Sequence, residues 1–203
     1  MTITVYHAKN TRSMRVLWVL EELGVEAEIK SLPFPPSKLQ PDYLAVNPTG
    51  TVPTLIDGSV RLTESMAICE YLAAKHNSPM LVEPGDAART EFVQWLWYGE
   101  STLMTPVSRM ATVGRLQRKG ADIDAVMEDA RNNAGVRLSA LERRLEGRDF
   151  LVAGRLTLAD ISAGYPLHVI GLFGIDHLLG PRTAAYRERL RSRPAYQRAE
   201  AVG

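Results

Sequence analysis

The sequence predicts an α/β domain followed by an all-helical domain. Three observations carry this. Residues 1–80 alternate short β-branched runs with helical patterns, in the order β-α-β-α-β-β-α. Residues 77–87, NSPMLVEPGDA, hold two prolines and a glycine and read as a linker. Every periodic segment beyond it is helical. The domains are therefore expected at 1–80 and 86–203.

Each element has its own signal. Residues 2–6, TITVY, are β-branched and short, as a strand requires. In RSMRVLWVLEELG, Val16, Leu17, Leu20 and Leu23 recur at helical spacing, and Gly24 is the stop. VEAEIK, residues 25–30, alternates and reads as a second strand. SLPFPPSKLQPDYLAVNP is a Pro-rich connection with one helical turn near residues 42–44. PTLID, a turn at Gly58 and VRL form a strand pair, and TESMAICEYLAAKH is a helix with Ile68 and Leu72 on one face. In the second domain, residues 88–110 begin a long helix. A second helix follows with Leu138, Leu141 and Leu145 in register, and a third runs through LTLADISAGYPLHVIGLFG. The start of the third is marked by Thr157 as N-cap, Asp160 at N3, and Leu156 with Ile161 as a hydrophobic staple.

Composition excludes several classes. Of 203 residues, 45% are hydrophobic and 23% charged, as in ordinary globular chains. The net charge of +1 provides no global field toward nucleic acid or a membrane. The Arg-rich stretch 182–198 has six arginines and one glutamate but no binding motif, and reads as a solvated helix face. A single cysteine, Cys69, leaves no intramolecular disulfide and no CxxC redox or zinc site, and no metal is expected. Cys69 lies on a core pattern and reads as a buried small apolar residue. The N-terminus lacks a secretory signal pattern, and no apolar run approaches the ~18 residues of a membrane span, so a cytoplasmic location is expected.

The chemistry concentrates around NPTGTVPTLIDG, residues 47–58. Pro53 stands at the mouth of a strand, where a proline removes a backbone donor. A cis Val52–Pro53 bond turns the amide and carbonyl of Val52 outward, free to pair with an extended peptide ligand. Eleven residues on, Glu64 and Ser65 stand at a helix start. Unpaired N–H groups there, with the helix dipole, suit a carboxylate. Ser65 adds a hydroxyl, and Glu64 a carboxylate that meets an ammonium. An amino-acid head group fits this set. The plain alternative is that Thr63 or Ser65 only caps the helix and Glu64 only complements its dipole.

NPTGTVPTL with LTESMAICEYLA, after a β-α-β start containing RVLWVLEELG, closely resembles the glutathione S-transferase family. FLVAGRLTLADI resembles the helix-capping motif of that family's second domain, and RPAYQRA extends the likeness to nearly the whole chain. The resemblance implies a thioredoxin-like first domain, glutathione as cosubstrate, a hydrophobic electrophile as second substrate and a homodimer. It implies that Val52, before cis-Pro53, pairs with the cysteinyl part and that Glu64 and Ser65 bind the γ-glutamyl end. Lys38 and Thr51 match positions that often hold the glycyl carboxylate. Tyr98, Ser101 and Thr105 are candidates for the electrophile pocket wall. Most Trp and Leu residues of their helix read as core.

Family members hold the thiol with Tyr, Ser or Cys between the first strand and first helix. In YHAKNTRSMR the candidates are Thr11, Asn10 and Tyr6, and the absence of cysteine there argues against mixed-disulfide chemistry. A thiol of pKa ~8.5 needs about 2.7 kcal/mol of preferential thiolate stabilisation to move by ~2 units. One or two hydrogen bonds to the charged sulfur, at ~1.5–3 kcal/mol each, suffice. The alternative is that Asn10 or Thr11 is only an N-cap. His7 has no evident partner and reads as structural.

The expected activity is glutathione transfer, attack of a bound thiolate on an electrophilic small molecule. A family isomerase or dehalogenase would use the same thiolate on a narrower substrate. A non-catalytic regulatory or scaffold module of this fold would need neither Pro53 nor the Glu64–Ser65 pair.

Overall fold

The computed structural model describes residues 2–117 and 123–202. The chain divides into two compact units, Met1–Leu81 with Arg191–Gly203, and Val82–Leu190.

The first unit is a four-stranded mixed sheet with helices, the thioredoxin-like arrangement. Strand β1 (Ile3–His7) is central. It pairs in parallel with β2 (Ala27–Ser31) and antiparallel with β3 (Thr54–Asp57), which pairs antiparallel with β4 (Val60–Thr63). The sheet order is β2-β1-β3-β4. Ile3, Val5 and His7 turn one face of β1 into the core. The β1–β2 crossover is helix α1 (Ser13–Leu23), as parallel strands require a connection of this kind. Its residues Ser13 to Leu20 are all buried, because α1 packs against both α3 (Ser65–Lys75) and α9 (Pro194–Val202). It ends at Gly24, whose left-handed φ of 63° lets residues 24 and 25 bond back to Glu21 and Leu20.

The Pro-rich connection forms two short pieces rather than one turn. They are α2 (Pro36–Leu39) and a 3₁₀ segment, Pro41–Ala45, each opened by a proline. Both Phe34–Pro35 and Val52–Pro53 are cis.

The second unit is helical. It comprises α4 (Arg89–Trp97), a π-helical segment Tyr98–Leu103, α5 (Met104–Gln117), α6 (Asp124–Arg144), α7 (Leu158–Leu172) and α8 (Pro181–Arg191). Helix α7 is buried along nearly its whole length and forms the centre of this core, in line with its all-round apolar sequence. The long helix expected from residue 88 is interrupted by the π segment, which packs against α7. Gly99 sits so close that a Cβ there would lie 2.5 Å from Ser162 Oγ and 2.6 Å from the Ala163 nitrogen. Trp95 is buried there, and Trp97, 53% exposed, is an exception among the Trp and Leu residues that mostly read as core.

The cap of α7 is as its sequence signalled, and more. Asp160 accepts from the Thr157 amide (2.8 Å) and hydroxyl (2.9 Å), from the Leu151 amide (2.9 Å) and from the Tyr186 hydroxyl (2.8 Å). The basic C-terminal stretch is two helices, not one, and only partly a solvated face. Arg193 and Arg198 pair with Glu22 and Glu21 of α1, and the side chain of Arg187 is largely buried.

Candidate functional site

The strand register assembles the site. Tyr6 pairs with Thr54, and Thr54 with Thr63. The end of β1, the entry to β3 and the exit of β4 therefore lie side by side at one end of the sheet. Val52–Pro53, Glu64–Ser65 and the loop from Ala8 to Arg12 follow directly from those three strand ends.

The entry to β3 is held by a local network. Tyr43 Oη donates to the Thr51 carbonyl (2.8 Å) and contacts Thr54 Oγ1 (2.6 Å). Asn47 Nδ2 donates to the same Thr51 carbonyl (2.8 Å), and its Oδ1 accepts from the Thr49 amide and hydroxyl. Gly50, at φ 63°, lies against Ser37, where a Cβ would come within 2.5 Å. That contact brings α2, which carries exposed Lys38, against the loop that carries exposed Thr51. Val52 lies outside the β1–β3 ladder, and its peptide groups enter no hydrogen bond among the described residues. Its side chain is buried with Ala8 and Tyr43, which ties this loop to the end of β1.

At the exit of β4, Glu64 adopts φ 67° and ψ 111° and is exposed at the start of α3. Ser65 is 3% exposed, and its Oγ accepts from Arg15 Nη1 at 3.2 Å. Arginine is donor-only, so this contact occupies a Ser65 lone pair and leaves the hydroxyl proton for an acceptor elsewhere. Arg15 is fully buried and joins α1 to the start of α3. Sequence reasoning missed it. A lone arginine inside the apolar run MRVLWVL was the available signal.

The three thiol-holding candidates differ in setting. Thr11 is 8% exposed, and its hydroxyl donates to the Ala8 carbonyl at 2.7 Å. Asn10 is exposed with φ 56°, two residues before Arg12, the N-cap of α1. The Tyr6 ring packs on Tyr43 at 5.3 Å, with Lys30 over its face. His7 does have a partner, contrary to its reading as a lone histidine. Its Nδ1 lies 2.7 Å from Ser13 Oγ. Burial lowers the His7 pKa, so the imidazole is neutral. Cys69 is fully buried in α3, and burial pushes its thiol up to about 12.

Tyr98, Ser101 and Thr105 belong to the second unit. Tyr98 Oη donates to the Arg137 carbonyl of α6 at 2.5 Å, and burial pushes its phenol up to about 12. Ser101 Oγ donates to the Trp97 carbonyl and Thr105 Oγ1 to the Ser101 carbonyl. Ser101 and Thr105 line a groove of about 330 Å³ with Arg109, Asn133 and Arg137. Among the described residues, no group of three or more His, Cys, Asp or Glu is placed to hold a metal, and no helix is long and apolar enough to cross a membrane.

Family comparison decides what this arrangement belongs to. Residues 1–74 match the model of the glutathione S-transferase N-terminal domain, and residues 102–194 that of the C-terminal domain. The chain belongs to the glutathione S-transferase family. It is 28% identical over 210 residues to glutathione S-transferase F10 of Arabidopsis thaliana, covering 99% of this chain and 97% of that protein. It is 36% identical over 162 residues to the probable glutathione S-transferase GSTF2 of Oryza sativa subsp. japonica, covering 77% and 73%. Among solved structures, a glutathione transferase family member from Pseudomonas fluorescens with two glutathione bound superposes with a TM-score of 0.87 at 26% identity, covering 98% and 92%. The transferase URE2P6 of Phanerochaete chrysosporium, in complex with oxidized glutathione, gives 0.85 at 29%, covering 99% and 96%.

Proposed function

We propose that this glutathione S-transferase family member binds glutathione and transfers it to a hydrophobic electrophile. The observation that carries the reading is the convergence of the open Val52 peptide group, the Ser65 hydroxyl at the start of α3 and the Thr11 hydroxyl at one end of the sheet. The γ-glutamyl carboxylate takes the α3 N-terminus and Ser65, and its ammonium takes Glu64. The cysteinyl backbone pairs with Val52 beside cis-Pro53. The glycyl carboxylate meets Lys38 and Thr51.

Thr11 then donates to the sulfur, in the dipole field of α1, and favours the thiolate. Asn10 and Tyr6 are the other donors within this loop and strand end. The thiolate forms a carbon–sulfur bond with the electrophile. Either a leaving group departs with its electron pair, or, in an addition, the atom that receives the displaced electron pair takes up a proton. Tyr98, Ser101 and Thr105 contribute to electrophile binding. The protein acts as a homodimer in the cytoplasm.

The test is calorimetric titration with glutathione, followed by turnover of a panel of electrophiles by the purified protein. Saturable glutathione binding with thiol-dependent consumption of an electrophile is expected. Absence of glutathione binding overturns the reading, and binding without turnover across the panel points to a regulatory module.

A further inference from the structure

His7, Ser13 and Thr11 form a buried polar chain in which His7 and Ser13 have no part in the roles above. His7 is 1% exposed and Ser13 fully buried. Three short contacts link them in series. His7 Nδ1 lies 2.7 Å from Ser13 Oγ, Ser13 Oγ lies 2.6 Å from Thr11 Oγ1, and Thr11 Oγ1 lies 2.7 Å from the Ala8 carbonyl oxygen.

Proton accounting gives this chain a direction. A carbonyl only accepts, so Thr11 supplies the proton of the last contact. With one proton in each of the three short contacts, the middle one uses the Ser13 proton, although Ser13 Oγ also lies 3.3 Å from the Ala8 carbonyl oxygen, and the first uses an imidazole N–H on Nδ1. The reverse order would leave Thr11 and the Ala8 carbonyl in contact at 2.7 Å with no proton between them. The buried neutral imidazole therefore carries its proton on Nδ1. Its Nε2 has no hydrogen-bond partner among the described residues, consistent with a lone pair there. Thr11 Oγ1 also accepts weakly from the Ser13 amide, at 3.4 Å. Its lone pairs thus face donors, and toward any ligand it can only donate.

We propose that His7 and Ser13 are positioning residues that hold the Thr11 hydroxyl as a donor toward an anionic ligand atom, a thiolate, before α1. This rests on the reading of Thr11 as the thiol-holding residue. When the thiolate arrives, the Thr11 proton swings from the Ala8 carbonyl to the sulfur, while Oγ1 stays polarised by Ser13. Chains of this kind strengthen each member by roughly 10–30%.

The experiment measures the ultraviolet thiolate absorbance of bound glutathione, per glutathione bound, on saturated protein. Thr11→Ala should lower the thiolate fraction about tenfold near neutral pH. Ser13→Ala and His7→Phe should lower it about two- to threefold with Thr11 intact. His7→Asn should stay near wild type, because its side-chain N–H replaces Nδ1–H. Because the signal is normalised to bound glutathione, loss of folded protein does not mimic the effect. If Thr11→Ala changes nothing, the thiol reading fails and this proposal with it. If Thr11→Ala acts but Ser13→Ala and His7→Phe do not, the positioning role alone is overturned. If His7→Asn falls as far as His7→Phe, the imidazole N–H has no such role.

Discussion

Arg193 donates to both carboxylate oxygens of Glu22, at 2.6 and 2.8 Å, across 171 residues of chain. Glu22 also accepts from Trp18 Nε1 at 2.9 Å, and Trp18 meets Tyr196 edge to face at 5.0 Å. The C-terminal helix α9 is thereby fastened to α1. Glu22→Gln should cost about 1–2 kcal/mol at pH 7, with the partly exposed Arg193 keeping the loss modest. The loss should depend on pH. Burial opposes ionisation of Glu22, and the bonds from Arg193 and Trp18 outweigh it and lower its pKa. A lowered folded-state pKa contributes stability above the unfolded carboxylate pKa and loses it as pH falls through the folded one. Urea melts should therefore show the full wild-type advantage at neutral pH and its progressive loss as pH falls below the ordinary Glu value of about 4.3.

Asp160 is a fully buried carboxylate with four donors, two on each oxygen, so Asn in its place turns one accepting oxygen into an NH2 that faces two donors. Asp160→Asn should destabilise by roughly 3 kcal/mol or more, and Tyr186→Phe by about 1–2 kcal/mol. Denaturant midpoints of the two variants check the ranking.

Gly99→Ala should cost about 1–3 kcal/mol, because its Cβ meets backbone and Ser162 Oγ of α7 at distances that demand movement. Gly135→Ala is the control. No atom lies within 4 Å of a Cβ built at Gly135, and alanine favours the helix. Thermal melts should move in opposite directions.

Ser65→Ala should weaken glutathione binding by roughly 1–3 kcal/mol, the usual loss when a charged group forfeits a hydrogen bond. Calorimetry on wild type and variant reads this directly. Equal affinities would remove Ser65 from the site.

Cys69 should resist thiol reagents in the native protein and react only on unfolding. It is fully buried, and its thiol is pushed up to about 12. Colorimetric thiol titration with and without denaturant tests this, and rapid native reaction would contradict it.

Much of the fold was legible because its signals are local. The β-α-β-α-β-β-α order follows from periodicity, Gly24 from its place after a helical run, and the α7 cap from Thr157 and Asp160 three residues apart. The π segment was not legible, since only the approach of α7 to Gly99 reveals its setting. The Arg-rich stretch read as a solvated face because its partners, Glu21 and Glu22, lie far away in sequence.

At the site, the sequence by itself determined which local chemistry was present: a proline at a strand mouth, an acid and a hydroxyl at a helix start, and hydroxyl and amide side chains before α1. The tertiary structure decided which of these groups meet. Pairing Tyr6 with Thr54 and Thr54 with Thr63 puts three loops at one sheet end, and spacing along a chain does not encode that register. It also placed Arg15 under Ser65 and set His7, Ser13 and Thr11 in line. Burial is the physical reason in both cases. Polar groups removed from water must find partners, and a packed core allows only those that the fold brings within about 3 Å.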